Sequence, residues 1–375
     1  MYKNFLLIAP MHSSLLLHLS LIPSIGPATI DALIKRLPSE LLAQIYQLTA
    51  TDIMHYSGLS YKIAHTIVTG LADKKILEDE LLLIDKYHIN WVTRYEVDYP
   101  LSLQHITAPP TILYYQGVLP ADCKGFAVVG SREADYYGRS VIDQLVPCLV
   151  QAGYSIISGG AKGADTMAHQ AALNAQGKTI AILGSGLLKP YPLQNKKLFE
   201  AITASGGAVV SSFALNTTAM PGNFPARNRI IAGMSMGCLV VQAAAQSGAR
   251  ITAQYALEQG RTVFAVPGLI TNPLSMGCHE LIKQGAHLVS GIETIFEGLG
   301  YESIGSSSLP IKETFSNQDA SETNLIVSLC TTARTLEELL EATGLSMVQL
   351  MADLFELQLQ GKVIQDGAGL WQRNS

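Results

Sequence analysis

The chain has 375 residues, 48% of them hydrophobic and 15% charged, with a formal net charge of −5. That length exceeds what one compact core usually holds, the composition excludes a disordered chain, and the overall charge gives no sign of a nucleic-acid partner. Five scattered cysteines with no CxxC pair (Cys123, Cys148, Cys238, Cys278, Cys330) point to neither a disulfide framework nor a zinc site, and fit a reducing cytoplasm.

At the N-terminus, Lys3 followed by Phe5–Ala9 has the outline of a signal peptide, but Pro10, His12 and two serines interrupt it and no small-x-small cleavage site follows. No apolar run approaches the roughly 20 residues of a membrane span, so neither export nor membrane insertion is expected. Met11 is an alternative start to Met1. Residues 1–85 read as a small helical domain. Breaks at Ile22–Gly26 and Tyr56–Ser60 separate apolar-periodic stretches, and Ile63, Ile67 and Leu71 stand at helical spacing. The first break has the pattern of a helix-hairpin-helix turn. With few Lys or Arg beside it, a plain corner between two helices is the simpler reading.

Residues 86–300 alternate apolar runs and helical patterns. Phe126–Gly130, Ser155–Gly159, Thr179–Gly184, Ala208–Ser211, Cys238–Val241 and Val263–Val266 each read as a buried parallel strand, with crossover helices such as Ser140–Gln151 and Asp165–Ala175 between them. That order predicts an α/β fold with a Rossmann-like, doubly wound, mostly parallel sheet. Residues 301–320 read as a linker. Residues 321–375 read as three helices and a small hairpin, the outline of a winged helix. Its three basic residues face seven acidic ones, and Met347–Glu356 carries no Lys or Arg, so it is expected to serve protein contacts rather than to read DNA.

The global charge hides an asymmetry. Between Gly125 and Arg261 eleven Lys and Arg stand against six Asp and Glu, and no acid occurs between Glu200 and Glu258. A basic α/β core is what a phosphate-backbone ligand requires. Many of these cations fall in loops expected at the carboxyl edge of the sheet, where ligands bind.

Four loops carry the chemistry. Gly130, Ser131 and Arg132 follow the first core strand, where amides, a hydroxyl and a guanidinium can hold a phosphate; an ordinary strand-end turn with a surface Arg is the alternative. Ser158–Asp165, with Gly160, Lys162 and Gly163, is neither a P-loop nor a clean GxGxxG, so neither ATP nor NAD is indicated and no cofactor is expected. It can still form a phosphate nest, with Asp165 satisfying helix amides and His169 packed rather than catalytic. Phe224, Arg227, Asn228 and Arg229 form a third, expected loop: two cations and a stacking face suited to a flexible single strand. At least one Arg is expected to brace the sheet edge. Ser247 and Gly248 open another helix, with small residues expected to face the same crevice and contact the strand, and Gly184–Gly186 with Tyr191, Pro192 and Asn195 shape the remaining loop. No carboxylate pair, Ser-His-Asp order or HExxH occurs among these loops, so no catalytic residue is assigned.

Taken together, V-G-S-R, S-G-x-A-K-G-x-D-x-x-A-H, L-G-x-G-L-x-x-x-Y-P-x-x-N, F-P-x-R-N-R-I-I-A-G, S-G-x-x-x-T-A and F-A-V-P-G, in this order between Tyr99 and Ala286, resemble the DNA-processing protein A (Smf) family. The flanking regions resemble its sterile-alpha-motif or hairpin-type N-terminal domain and its winged helix. The resemblance implies a cytoplasmic homodimer that binds and protects single-stranded DNA and helps load RecA recombinase onto it during natural transformation. It makes single-strand-binding protein a further candidate partner, and Arg132, Lys162, Phe224, Arg227 and Arg229 the DNA contacts. The chain departs from the pattern at Gln242 (usually Glu), His279 (usually Asn) and Ala164 (commonly Ile), and Pro221–Gly222 stand where some members carry a Lys. A competing reading is a nucleotide-processing hydrolase of the lysine-decarboxylase-like family, which shares such a core; the Glu of its P-G-G-x-G-T-x-x-E motif has no counterpart in Ser247–Tyr255. A scaffold acting through the acidic C-terminal region is a third.

Overall fold

The computed structural model describes residues 13–301, 326–345, 347–359, 361–365 and 370–373. The alternative start at Met11 and nearly all of the expected 301–320 linker lie outside the described residues. The chain divides into two compact units, Met1–Ser303 and Ile304–Ser375.

Among the described residues, the first unit opens with six α-helices: α1 (Ser13–Leu21), α2 (Pro27–Arg36), α3 (Ser39–Ala43), α4 (Ala50–Ser57), α5 (Tyr61–Ala72) and α6 (Lys74–Lys86). The corner between α1 and α2 buries Ile22 and Ile25 in the core. Its sharp bend falls on Ser24 (φ +67°), not on Gly26, whose φ of −98° any residue adopts. The second break is built as expected: α4 ends on Gly58, and the Ser60 hydroxyl caps α5 by accepting the Ile63 N–H.

A nine-stranded sheet follows, formed by β1 (Asn90–Thr93), β2 (Ile112–Gly117), β3 (Gly125–Val129), β4 (Ser155–Ser158), β5 (Thr179–Ile182), β6 (Ala208–Ser211), β7 (Gly237–Val240), β8 (Thr262–Ala265) and β9 (His287–Leu288). Their spatial order is β1-β2-β6-β5-β4-β3-β7-β8-β9. β1 pairs antiparallel with β2, and β2 with β6; every other pair is parallel. The helices among these strands are α7 (Tyr136–Gln151), α8 (Ala164–Asn174), α9 (Lys196–Ala204), α10 (Asn223–Gly233), α11 (Gly248–Glu258), α12 (Met276–Lys283) and α13 (Ile292–Gly298).

The six expected parallel strands all form, because each is an apolar run buried on both faces. Side chains alternate across the sheet. Ala127, Ile157, Ile180, Val210, Val240 and Ala265 face a core shared with α10, α11 and α12. On the opposite face Phe126, Ile156, Leu239 and Phe264 pack with α7 and α8, while Ala181 and Val209 join Tyr114 and the N-terminal helices in one apolar cluster. The helical region is thus continuous with the core of the sheet. Strand order reverses at β3, which has β4 on one side and β7 on the other, so the carboxyl ends of β3 and its neighbours border a crevice.

The second unit contains α14 (Leu336–Thr343), α15 (Met347–Leu359) and a hairpin of β10 (Val363–Gln365) and β11 (Trp371–Arg373), with residues 326–329 also helical. Its core gathers Ile326, Leu339, Leu350, Leu354, Leu357, Val363 and Trp371. A Thr335–Glu338 capping box opens α14. No helix among the described residues is long and apolar enough to cross a membrane.

Candidate nucleic-acid interface

Loops leaving β3, β4 and β5 and the first turn of α10 surround a cleft of about 130 Å³, lined by Arg132, Gly159, Ala161, Lys162, Tyr191, Pro192, Phe224 and Arg227. Arg132 and Lys162 are exposed. The Arg132 guanidinium carbon lies 5.3 Å from the centre of the half-buried Phe224 ring, within cation–π reach. Tyr191, 48% exposed, approaches the same ring at 5.9 Å with a tilt of 59°. Exposed cations and accessible rings therefore share one opening.

Several bonds set the shape of this opening. Ser131 donates its N–H to the Gln242 carbonyl at 2.6 Å, and its own carbonyl accepts the Ala164 N–H at 3.0 Å, joining the β3 loop to the end of β7 and to α8. Asn195 reaches the Gly160 carbonyl and the Thr166 hydroxyl, both at 2.8 Å, and ties the Tyr191–Pro192 loop to the glycine-rich one. The Asp165 carboxylate accepts the Ala161 N–H at 3.2 Å. Burial pushes Asp165 up from the usual carboxylate range, opposed by the Arg227 charge and the loop amides.

The Phe224–Arg229 stretch is a helix, the first turns of α10, and not the expected loop. Pro225 is tolerated in a first turn, where its missing N–H has no intrahelical acceptor. Its first turns bury the polar pair Arg227 and Asn228 ahead of the apolar Ile230 and Ile231, which is why periodicity concealed where the helix begins. Residues two apart on a helix diverge by about 200°, so the two arginines separate. Arg227 is 4% exposed and donates to the carbonyls of Gly159 and Ile182, the latter at 2.5 Å. Burial lowers its pKa to about 10, with Asp165 opposing and Arg132 adding to the fall. Arg229 donates to the carbonyls of Thr107 and Ala108, before β2. Both arginines brace the main chain.

Residues 90–300 match the family model for DNA recombination-mediator protein A. The chain belongs to that family. It is 36% identical to Protein Smf of Escherichia coli over 315 residues, covering 82% of this chain and 83% of that one. It is 44% identical to the DNA processing protein DprA of Streptococcus pneumoniae over 203 residues, covering 53% and 71% respectively. The X-ray structure of the S. pneumoniae protein superimposes with a TM-score of 0.60 at 33% identity, covering 73% of this chain and 98% of that one.

Among the residues singled out from sequence, Arg132, Lys162, Phe224 and Arg227 line the cleft, and Gly130, Ser131, Gly160 and Gly163 form the loops beneath it. Asn228 donates to the Gly248 carbonyl at 3.3 Å, joining α10 to α11. Ser247 caps α11 and lines a separate groove of about 480 Å³ with Arg250, Gln254 and Gln284, so the structure does not bring Ser247 and Gly248 into the cleft. Tyr191 was not singled out as a contact. Its exposed ring beside Phe224 is a tertiary juxtaposition that spacing does not encode.

Two of the departures have local explanations. Gln242 donates to the Asp135 carboxylate at 2.9 Å and accepts the Asp135 N–H at 3.1 Å, a pairing that a second carboxylate could not make in full. Ala164 is fully buried with its Cβ close against Gly130, where an added Cβ would lie 2.7 Å from it.

His169 is packed, as expected. It is fully buried, and its Nδ1 meets the Thr179 hydroxyl at 2.7 Å. That hydroxyl donates to the Ile156 carbonyl, so it accepts from His169, and the imidazole is neutral. Burial, reinforced by the Arg227 charge, lowers the His169 pKa to about 3. The unfolded chain therefore binds this proton more readily, and stability is expected to fall as pH drops from the ordinary histidine range toward 3. His169→Asn, which keeps a donor toward Thr179, should flatten the pH dependence of chemical unfolding in that window. An unchanged slope counts against the assignment.

Proposed function

We propose that the chain binds single-stranded DNA at the carboxyl edge of its sheet, acts as a cytoplasmic homodimer, and helps load RecA recombinase onto the strand, with no bond-breaking chemistry of its own. In this reading residues 86–300 are a Rossmann-like doubly wound core, residues 1–85 a sterile-alpha-motif or helix-hairpin-helix-like domain, and residues 321–375 a winged helix serving protein contacts. Arg132 and Lys162 neutralise successive phosphates, and the Phe224 and Tyr191 rings stack bases, a combination that tolerates sequence and requires unpaired bases. Arg227 acts by holding the cleft's walls together.

The observation that carries this reading is the meeting of exposed Arg132 with the Phe224 and Tyr191 rings in one cleft, in a family of DNA recombination mediators. The test is a fluorescence-anisotropy titration of oligo-dT and of a duplex at several salt concentrations. Arg132→Ala with Lys162→Ala should weaken oligo-dT binding about tenfold and reduce the log–log salt slope by about 1.4, since each neutralised single-strand phosphate contributes roughly 0.7. An unchanged affinity and slope would sink the site assignment, and a preference for duplex would sink the stacking role.

A further inference from the structure

The α6 helix lays Leu77, Leu81 and Ile84 against the core shared by the helical region and the sheet. Glu80 falls among them on the inward side and is only 6% exposed. Burying a carboxylate there costs more than completing the stripe with an apolar residue. Glu80 Oε1 accepts the N–H of Leu215 at 2.8 Å, a residue 0% exposed in the connection between β6 and α10. The fully buried Tyr114 hydroxyl neighbours the same carboxylate, which acts on it by charge and through a side-chain contact outside ordinary hydrogen-bond geometry. The well-formed hydrogen bond of Glu80 is the one to Leu215, and a polar group at position 80 serves it first.

Leu215 is a junction between two loops of the cleft. Its carbonyl accepts the Leu188 N–H at 3.0 Å, and the Gly186 N–H donates to the Thr217 carbonyl at 2.8 Å. These two bonds ladder the segment after β6 onto the segment after β5. The first segment runs on to Phe224 and the second to Tyr191, and the two rings meet at 5.9 Å. The inner side of the ladder rests on an acceptor supplied from the helical region.

We propose that Glu80 is a positioning residue for the strand-binding cleft: by holding Leu215 it fixes the paired loops that carry Tyr191 and Phe224. The proposal rests on the reading of that cleft as the single-stranded-DNA site. It makes the N-terminal helical region part of the binding apparatus without requiring it to touch the strand.

The test uses the full chain with Glu80→Met, which removes the acceptor, and Glu80→Gln, whose amide oxygen still accepts. Amide hydrogen exchange is followed in 184–192 and 212–222 without DNA, and oligo-dT affinity by anisotropy, at a temperature where every variant keeps its near-UV circular dichroism. Glu80→Met should accelerate exchange in both segments about tenfold while α1 and α2 stay protected, and weaken oligo-dT binding about fivefold or more. Glu80→Gln should restore both readouts. Should Glu80→Met not fold, Glu80→Asp, shorter by one methylene, carries the same expectation. The proposal is overturned if the two segments exchange as in the wild type, if exchange rises evenly over the whole unit, or if Glu80→Gln fails to rescue. A wild-type protein that does not bind oligo-dT would overturn the strand-binding reading instead, and the exchange measurement would still decide what Glu80 holds.

Discussion

Replacing Arg227 by alanine is expected to destabilise the first unit by about 3–5 kcal/mol, the cost of breaking a buried, hydrogen-bonded charge arrangement by removing one partner. The loss has three parts. The carbonyls of Gly159 and Ile182 lose their donor in a place closed to water. Asp165, already pushed up by burial, loses the cation that opposes that push, and protonates at higher pH. The volume left behind undercuts the Phe224 ring, over which the Arg227 guanidinium carbon lies at 5.9 Å. Urea unfolding followed by circular dichroism measures the loss. Arg227→Lys should recover only part of it, because one ammonium cannot reproduce two carbonyl contacts from a planar fork. A midpoint within experimental error of the wild type would show that these bonds contribute nothing net.

The second large effect is expected at Gly163. Its φ of +74° with ψ of −128° is a conformation open to glycine and hardly to any other residue, and an added Cβ would run into the carbonyls of Ser131 and Arg132. Strain and overpacking each cost about 1–3 kcal/mol, so Gly163→Ala should destabilise by about 2–6 kcal/mol. The substitution also separates the two loops that present Arg132 and Lys162. Oligo-dT binding should therefore fall at temperatures where the protein remains folded, a result that distinguishes a displaced site from a merely weakened fold. Full affinity in a folded Gly163→Ala protein would mean that the two loops act independently.

The parallel centre of the sheet was legible because burial on both faces writes each strand as an unbroken apolar run. The two edges, the antiparallel β1–β2 and the parallel β9, were not. In β1 only Val92 and Thr93 of the four residues are buried, β2 follows directly on Pro109-Pro110-Thr111, and β9 is two exposed residues. Such strands are defined by their partners and carry little signal of their own. The glycine-rich loops and Arg132 were legible because their chemistry is local. The start of α10 was hidden because its first turns bury a polar pair, Arg227 and Asn228, satisfied by distant carbonyls, and its apolar residues Ile230 and Ile231 follow only afterwards. Glu80 could have been noticed as an acid interrupting an apolar stripe, but its partner lies 135 positions away and no local pattern names it.

The reversal of strand order at β3 has a consequence for how the chain leaves the ribosome. β3 can pair with β4 soon after both emerge, but its other edge waits for β7: Ala127 pairs with Cys238, roughly 110 positions later, a separation that slows closure. β2 likewise waits for β6. Until then the nascent sheet presents two open hydrogen-bonding edges flanking its most apolar strands, a template for intermolecular pairing. The centre of the sheet should therefore close in one late, cooperative step once β7 and the β8 strand that covers its other edge are free of the exit tunnel, and chains stalled before that point should be the ones that aggregate.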